Sequence, residues 1–153
     1  MWVPPEDHDP VCLHAPTRKS ISYFGAVRLR DGKLVTSRPS GNFDGATCLA
    51  FFKKLRRHRR AGKKMVIIID NARYHHASLH ETWRRCAAPV FKLHFLPPYS
   101  PELNPVERVW KLTRRRCVHN RYFETLEAVS AALEPAFRLW SRPNVTLKRL
   151  CSI

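Results

Sequence analysis

The stretch MVIIID, residues 65–70, is a short and continuously apolar run, rich in β-branched residues, that ends in an acid. Runs of this kind are typical of a strand that lies inside a sheet and is buried on both faces. The pattern therefore predicts a central strand with Asp70 at its C-terminal tip. A buried strand holds the backbone of this residue rigidly, while the end of the strand lets the carboxylate emerge into a cleft.

Strands and helices are predicted on both sides of this strand. The segments ISYFGAVRL (21–29) and KLVTSR (33–38) are β-prone and flank Asp31-Gly32, a dipeptide suited to a tight hairpin turn. Apolar spacing predicts helices over 44–60 and 78–88, a strand over 91–96, a helix that begins at Asn104-Pro105, and a last helix over 126–140. The order is that of a mixed α/β protein, and 153 residues suffice for one domain.

The chain carries 28 Lys and Arg against 12 Asp and Glu, a formal net charge of +16. Such a charge attracts polyanions, so nucleic acid is the expected class of partner. Eight basic residues and no acid lie between Lys53 and Lys64, where they either follow a phosphate backbone or form a solvated helix end. No apolar run approaches the roughly 20 residues that span a bilayer, and no signal peptide is recognised, which favours a cytoplasmic protein without a membrane partner.

Two acids are candidates for metal chemistry. Cleavage of phosphodiesters by two metal ions needs several carboxylates that converge on one point. Glu107 lies 37 positions after Asp70, beyond a Pro-rich loop, in the first turn of its predicted helix. Each acid also has a simpler interpretation: Asp70 caps the turn that follows its strand, and Asn104 with Glu107 forms a capping box. On position alone, these simpler interpretations are favoured.

Three histidines follow Asp70 within ten residues, namely His75, His76 and His80. Adjacent histidines point in different directions on a helix, and further ligands at metal-binding spacing are missing. They are therefore interpreted as polar surface or turn-stabilising groups.

The strings IIIDNARYHHA (67–77) and LHFLPPYSPELNPVERVWKLTRR (93–115) closely resemble the DDE endonuclease domain of bacterial insertion-sequence transposases in the mariner-type superfamily. The resemblance extends upstream through WVPPEDHDP (2–10) and SISYFGAV (20–27). It implies a ribonuclease H-like α/β fold, a mixed sheet flanked by helices. In that family the acid of the DNAxxH motif and the glutamate of the NPxE motif ligate catalytic metal. These positions correspond here to Asp70 and Glu107.

The family's first aspartate stands on an opening strand before the segment that Trp2 matches, so its counterpart is expected upstream of Met1. Four other acids are candidate substitutes for this first aspartate: Glu6, Asp7, Asp9 and Asp44. None of them is predicted to lie in the middle of a strand beside Asp70, so no substitute is assigned. The resemblance therefore predicts one partial catalytic domain over residues 1–153, with its first strand missing and without the family's helix-turn-helix domain. A frameshifted half, a decayed remnant and a misassigned start all remain open.

The implied activity is cleavage and strand transfer of DNA at transposon ends and target, with two Mg²⁺ or Mn²⁺ ions in the intact enzyme. The expected partners are DNA, further copies of the intact protein, and an upstream-frame polypeptide that supplies the first aspartate, all at the bacterial nucleoid. Four residues are candidates for DNA contact: Arg73, Tyr99, Arg108 and Lys111. Whether the isolated chain is an enzyme stays open. The alternatives are a non-catalytic basic nucleic-acid-binding protein and another ribonuclease H-like nuclease.

Overall fold

The computed structural model describes residues 20–39 and 41–152. Its strands and helices, in chain order, are β1 (Phe24–Arg28), β2 (Lys33–Ser37), α1 (Gly45–Arg57), β3 (Met65–Ile69), α2 (Glu81–Ala87), β4 (Phe91–Phe95), α3 (Pro105–Thr113), α4 (Leu126–Trp140) and α5 (Val145–Leu150). Short 3-10 turns are found at Arg73–His76, Ser78–His80 and Pro101–Leu103, and a π-helical turn at Arg114–Val118 continues α3. The predicted mixed α/β fold is confirmed. After α4, which corresponds to the last predicted helix, the structure has one more helix, α5, that was not predicted. In the described ranges, no helix is both long and apolar enough to cross a bilayer.

The strands form two two-stranded sheets. β1 and β2 are antiparallel, whereas β3 and β4 are parallel, with Ile69 opposite Phe95. Within residues 20–39 and 41–152, no strand joins β1 to β3, so one edge of each strand is left unpaired. The prediction that β3 is buried on both faces is therefore wrong in part: Ile69 is buried, but Val66 is 56% exposed.

The β1–β2 hairpin lies between two apolar clusters, because its side chains alternate between its two faces. Phe24 faces a cluster formed by α1, β3, β4 and α2, with Cys48, Phe51, Phe52, Leu55, Ile69, Ala87 and Phe91. Leu34 faces a second cluster formed by α3, α4 and α5, with Val109, Trp140, Leu147 and Cys151. The hairpin therefore connects the two halves of the apolar core.

The hairpin turn is longer than the predicted dipeptide turn. Four residues, Leu29 to Gly32, lie between the strands, and the amides of Asp31 and Gly32 both donate to the carbonyl oxygen of Arg28. The Arg28 guanidinium also holds the Asp31 carboxylate, at 2.6 and 2.8 Å, and thereby lowers the pKa of Asp31. The turn docks on the start of α5, where the Asn144 amide donates to the Asp31 carbonyl oxygen at 2.8 Å.

Helix starts follow the capping residues of the sequence. Asp44 and Thr47 form a reciprocal capping box at α1, and the side chains of Asn104, Thr125 and Asn144 accept backbone hydrogen bonds at the starts of α3, α4 and α5. The end of α1 at Arg57 is three residues earlier than predicted, because the amides of His58 and Arg59 donate to the carbonyl oxygens of Leu55 and Arg56 and close the helix with tighter turns.

We expect Gly32→Ala to lower the free energy of unfolding by roughly 2 to 4 kcal/mol. Gly32 has a φ of +72°, and a Cβ at this position would overlap backbone atoms of Asn144 and Lys148. Gly62→Ala is the matched control, because Gly62 has a similar φ of +70° but no neighbouring atom within 4 Å of the added Cβ. Urea unfolding of both variants separates backbone strain from the lost docking of α5. Equal destabilisation of the two variants would contradict the docking contribution.

Candidate active site

A groove of about 550 Å³ lies between the edges of β1 and β3 that no strand in the described ranges pairs with. Its two ends differ in charge. Asp70, His75 and Glu107 line it where β3 ends, whereas a set of basic residues lines it where β3 begins, namely Arg28, Arg30, Lys33, Arg59, Arg60, Lys63 and Lys64. The two carboxylates singled out by the sequence therefore share one end of one groove.

Asp70 directly follows β3, and one oxygen of its carboxylate is fixed by two donors. Oδ1 accepts a hydrogen bond from the Ala72 amide at 3.0 Å and lies 2.9 Å from Nδ1 of His75. The predicted turn-capping role is thus confirmed for this oxygen. Among the described residues, the other oxygen, Oδ2, has no donor, and half of the side chain is exposed. Asp70 can therefore cap its turn and still offer an oxygen to a cation.

The hydrogen bond from His75 lowers the pKa of the Asp70 carboxyl, and the Ala72 amide acts in the same direction, against the effect of burial. The Nδ1 atom of His75 also lies 3.1 Å from the Asp70 backbone oxygen. Since both atoms near Nδ1 are acceptors, Nδ1 carries the proton. The turn is tied to β4 as well, because the Asn71 side-chain amide donates to the Leu96 carbonyl oxygen.

Glu107 does not form the capping box that its spacing from Asn104 resembles. In a capping box, the glutamate side chain accepts a hydrogen bond from the backbone amide of the N-cap residue. Here the Asn104 amide donates instead to the Pro101 carbonyl oxygen at 3.0 Å. The Asn104 side chain alone caps the helix, by accepting from the Val106 amide at 3.3 Å. Within residues 20–39 and 41–152, the Glu107 carboxylate has no hydrogen-bonding partner, which leaves it available on the wall of the groove.

The face of α3 that bears Glu107 is held against the hairpin by Trp110. The indole ring covers Gly25 of β1 so closely that a Cβ at this position would overlap the ring. Val109, on the neighbouring side of the helix, is fully buried in the second cluster. These contacts fix the position of Glu107 relative to β1, although the side chain itself makes none of them.

The four residues predicted to contact DNA differ in their surroundings. Arg108 donates to the carbonyl oxygens of Leu150 and Ser152, at 3.2 and 3.1 Å, and so satisfies the C-terminal end of α5. Arg73 and Lys111 are exposed near Asp70 and Glu107 in the chain, and Tyr99 is fully exposed. The structure therefore assigns Arg108 a structural contact and leaves the other three side chains open to solvent.

The histidines are more buried than the sequence suggested. His75 and His80 are buried, so their interpretation as surface groups is wrong, whereas their interpretation as turn-stabilising groups is confirmed. Nε2 of His80 donates to the Gly45 carbonyl oxygen at 2.7 Å and joins α1 to the turn before α2. His76 is exposed and stacks on Phe95, with ring centroids 4.4 Å apart. No group of three or more His, Cys, Asp or Glu in the described part of the chain forms a complete metal site.

The basic run between Lys53 and Lys64 lies at the opposite end of β3 from Asp70. Five strand residues separate the two ends, a distance of roughly 17 Å at about 3.3 Å per residue. His58, within this run, is partly buried and surrounded by positive charge. Burial lowers its pKa, and the nearby Lys33, Arg28 and Lys54 lower it further. The basic run therefore forms a positive surface that is separate from the carboxylates.

Comparisons with known proteins agree with these features. Residues 2–130 match the family described as DDE superfamily endonuclease. An uncharacterized protein of Sinorhizobium fredii, y4pE/y4sA, is 38% identical over 68 residues, which are 44% of this chain and 47% of that protein. An uncharacterized 39 kDa protein of the insertion element IS630 of Shigella sonnei is 31% identical over 90 residues, which are 58% of this chain and 26% of that protein.

Two solved structures have the same fold. The Mos1 strand transfer complex aligns with a TM-score of 0.68 at 16% identity, over 99% of this chain and 44% of that chain. The Mos1 mariner paired end complex with Mn aligns with a TM-score of 0.69 at 17% identity, over 99% of this chain and 46% of that chain. The predicted ribonuclease H-like fold is confirmed. The chain spans less than half the length of each of these four proteins.

Replacing His75 tests whether its hydrogen bond keeps Asp70 ionised. In His75→Ala we expect the pKa of Asp70 to rise towards its ordinary value, because the ring that donates to Oδ1 is lost. His75→Asn is the matched control, since its amide nitrogen can take the place of Nδ1 and continue to donate. NMR titration of the Asp70 carboxyl carbon measures both effects. An unchanged pKa in His75→Ala would contradict the assigned hydrogen bond.

The same pair predicts a pH dependence of stability. A carboxyl with a lowered pKa in the folded state contributes stability that is present above its unfolded pKa of about 3.9 and lost as the pH falls through the folded value. The difference in unfolding free energy between the wild type and His75→Ala should therefore shrink below about pH 4. A constant difference from neutral pH into this range would mean that His75 acts through packing alone.

Proposed function

We propose that this chain, which belongs to the DDE superfamily endonuclease family, is part of the catalytic domain of a transposase that cuts DNA and transfers the cut strand. The pair of carboxylates at one end of the groove carries the proposal: Asp70 has one oxygen fixed and one free, and Glu107 is not used in capping. The relatives support it. One belongs to an insertion element, and the Mos1 structures are a strand transfer complex and a paired end complex.

Asp70 and Glu107 fit the role of ligands for Mg²⁺ or Mn²⁺, since both cations prefer carboxylate oxygens. One of the Mos1 complexes is described with Mn. When bound, a pair of such ions would activate a water or a DNA 3′-hydroxyl for in-line attack and stabilise the charge of the phosphate. His75 orients the Asp70 carboxylate.

Two carboxylates are fewer than a two-metal site ordinarily uses, and the groove suggests where a third would come from. The edges of β1 and β3 on either side of it carry backbone donors and acceptors that a further strand can pair with. We propose that a strand bearing an aspartate occupies the groove in the working protein, supplied by an upstream part of the same polypeptide or by a separate one.

The remaining parts of the proposal concern partners. DNA is the proposed substrate, with Arg73 and Lys111 as phosphate contacts close to the carboxylates. The net charge of +16 favours binding to the phosphate backbone of DNA, and it supports the proposal that the protein acts at the nucleoid. The description of one Mos1 structure as a paired end complex supports an assembly of several protomers that joins two DNA ends. Residues 1–153 would form one partial domain of this protein.

A second candidate function is non-catalytic binding of nucleic acid. The specific observation in its favour is the basic surface at the start of β3, which lies away from the carboxylates and needs no metal ion to bind a phosphate backbone. Under this alternative, Asp70 would only cap its turn, and Glu107 would have no role. The two candidates differ in what the carboxylates bind.

Substitution of the two acids separates the candidates. We expect Asp70→Asn and Glu107→Gln each to weaken Mn²⁺ binding by about tenfold or more, because each removes a ligand. Titration followed by electron paramagnetic resonance measures the free ion directly. Glu102→Gln is the matched control, since Glu102 is an exposed glutamate of the 3-10 turn before α3 and does not line the groove.

Two further measurements complete this test. DNA affinity should be equal or slightly higher in both site variants, because each loses a negative charge that repels phosphate. Any Mn²⁺-dependent nicking of supercoiled DNA should fall by about 100-fold or more in both. Unchanged Mn²⁺ binding in the two site variants, together with retained DNA binding, would favour the non-catalytic alternative.

A further inference from the structure

Tyr99 combines two features that are unusual for an aromatic residue. Its side chain is fully exposed, although large aromatic side chains ordinarily bury most of their surface. Its φ is +56°, a left-handed conformation that is sterically unfavourable for a bulky residue. Such conformations persist where the surrounding structure enforces them, and they cluster at functional sites. Neither the apolar core nor the helix caps described above use this side chain.

The loop around Tyr99 is restrained on both sides. Prolines precede it at positions 97 and 98 and follow at 101, and the Ser100 hydroxyl donates to the Pro98 carbonyl oxygen at 3.3 Å. A 3-10 turn then leads into α3, with the Leu103 amide bonded to the Ser100 carbonyl oxygen at 3.2 Å. The backbone at Tyr99 is therefore restrained on both sides, so that less backbone entropy remains to be lost on binding.

The position of the ring relates it to the carboxylates. The Leu96 amide donates to the Ile69 carbonyl oxygen at 2.8 Å, so Leu96 emerges from the sheet beside Asp70. Tyr99 is three residues further on, at most roughly 11 Å from Leu96 along an extended chain. The same loop then runs directly to the helix that carries Glu107. An exposed aromatic face thus stands at the edge of the sheet where the candidate site lies.

We propose that Tyr99 is a stacking platform for an unpaired nucleobase next to the phosphodiester that is cut or joined. The inference rests on the proposed DNA substrate and specifies its form: a DNA end or junction with at least one unpaired base, and not only continuous duplex. An exposed aromatic ring on a restrained backbone can stack on any base, because every base has a π face. The exposed Arg73, in the turn after Asp70, is the proposed contact for a phosphate of the same strand.

The test uses the full chain and two DNA probes, one with 2-aminopurine in an unpaired overhang and one with 2-aminopurine inside a continuous duplex. Stacking on Tyr99 should change the fluorescence of the overhang probe on binding. We expect Tyr99→Ala to weaken binding of the overhang probe by about 5- to 100-fold. Tyr99→Trp should retain the wild-type affinity for the overhang probe. The affinity for the duplex probe should change by less than about twofold in either variant.

Two controls exclude general effects. Tyr122→Ala removes another exposed tyrosine, outside the loop, and should leave both affinities unchanged. Tyr99→Gly removes the ring but relieves the positive φ, so its thermal unfolding midpoint should be equal to that of the wild type or higher, while binding of the overhang is lost as in Tyr99→Ala. Loss of overhang binding in this variant is then not a consequence of unfolding.

The outcomes distinguish this inference from the function on which it rests. Binding of both probes with no effect of Tyr99→Ala would overturn the stacking platform and leave the DNA substrate in place. Binding of neither probe by the wild type would overturn both proposals. Equal losses for overhang and duplex would assign Tyr99 to general backbone contact, which also contradicts the platform. A selective loss for the overhang, restored by Trp, supports it.

Discussion

The parallel pairing of β3 with β4 determines where every group of the candidate site lies. Because parallel strands end at the same edge, Asp70 and Leu96 leave the sheet side by side, and the Asn71 side chain ties them together. The chain after Leu96 passes through the Tyr99 loop and starts α3 with Glu107 in its first turn. A shift of the pairing by one residue would turn each side chain to the opposite face. The apolar pattern that sets the register therefore also positions the site.

The features that the sequence predicted correctly are those that depend on near neighbours in the chain. The end of β3 at Asp70, the Asn104-Pro105 helix start and the stripe from Leu126 to Trp140 each follow from local spacing or capping chemistry. The features that were missed depend on distant residues. Val66 is exposed because no described strand covers its side of β3, and α5 is a six-residue helix whose start is held by the β1–β2 turn. Burial of a histidine and exposure of a tyrosine are likewise decided by tertiary packing.

The site residues show how far local chemistry competes with function. Both acids had a structural interpretation that was at least as good from the sequence. For Asp70, that interpretation is correct but incomplete, since the turn and His75 occupy only one oxygen. For Glu107, the structural interpretation is wrong, because the Asn104 amide that it would bind already donates to the Pro101 carbonyl oxygen. A carboxylate has several acceptor positions, so a structural hydrogen bond at one of them does not exclude a ligand at another.

The open groove joins the stability of the sheet to the chemistry of the proposed site. Two-stranded sheets are marginal by themselves, and here each depends on helices packed against it. A strand placed between β1 and β3 would pair with the two edges left open by the described strands and merge the sheets into one. If that strand carries the third carboxylate, the same event completes both the sheet and the ligand set. Metal binding and sheet completion would then stabilise each other, because binding to a site that exists only in the completed fold adds to the free energy of that fold.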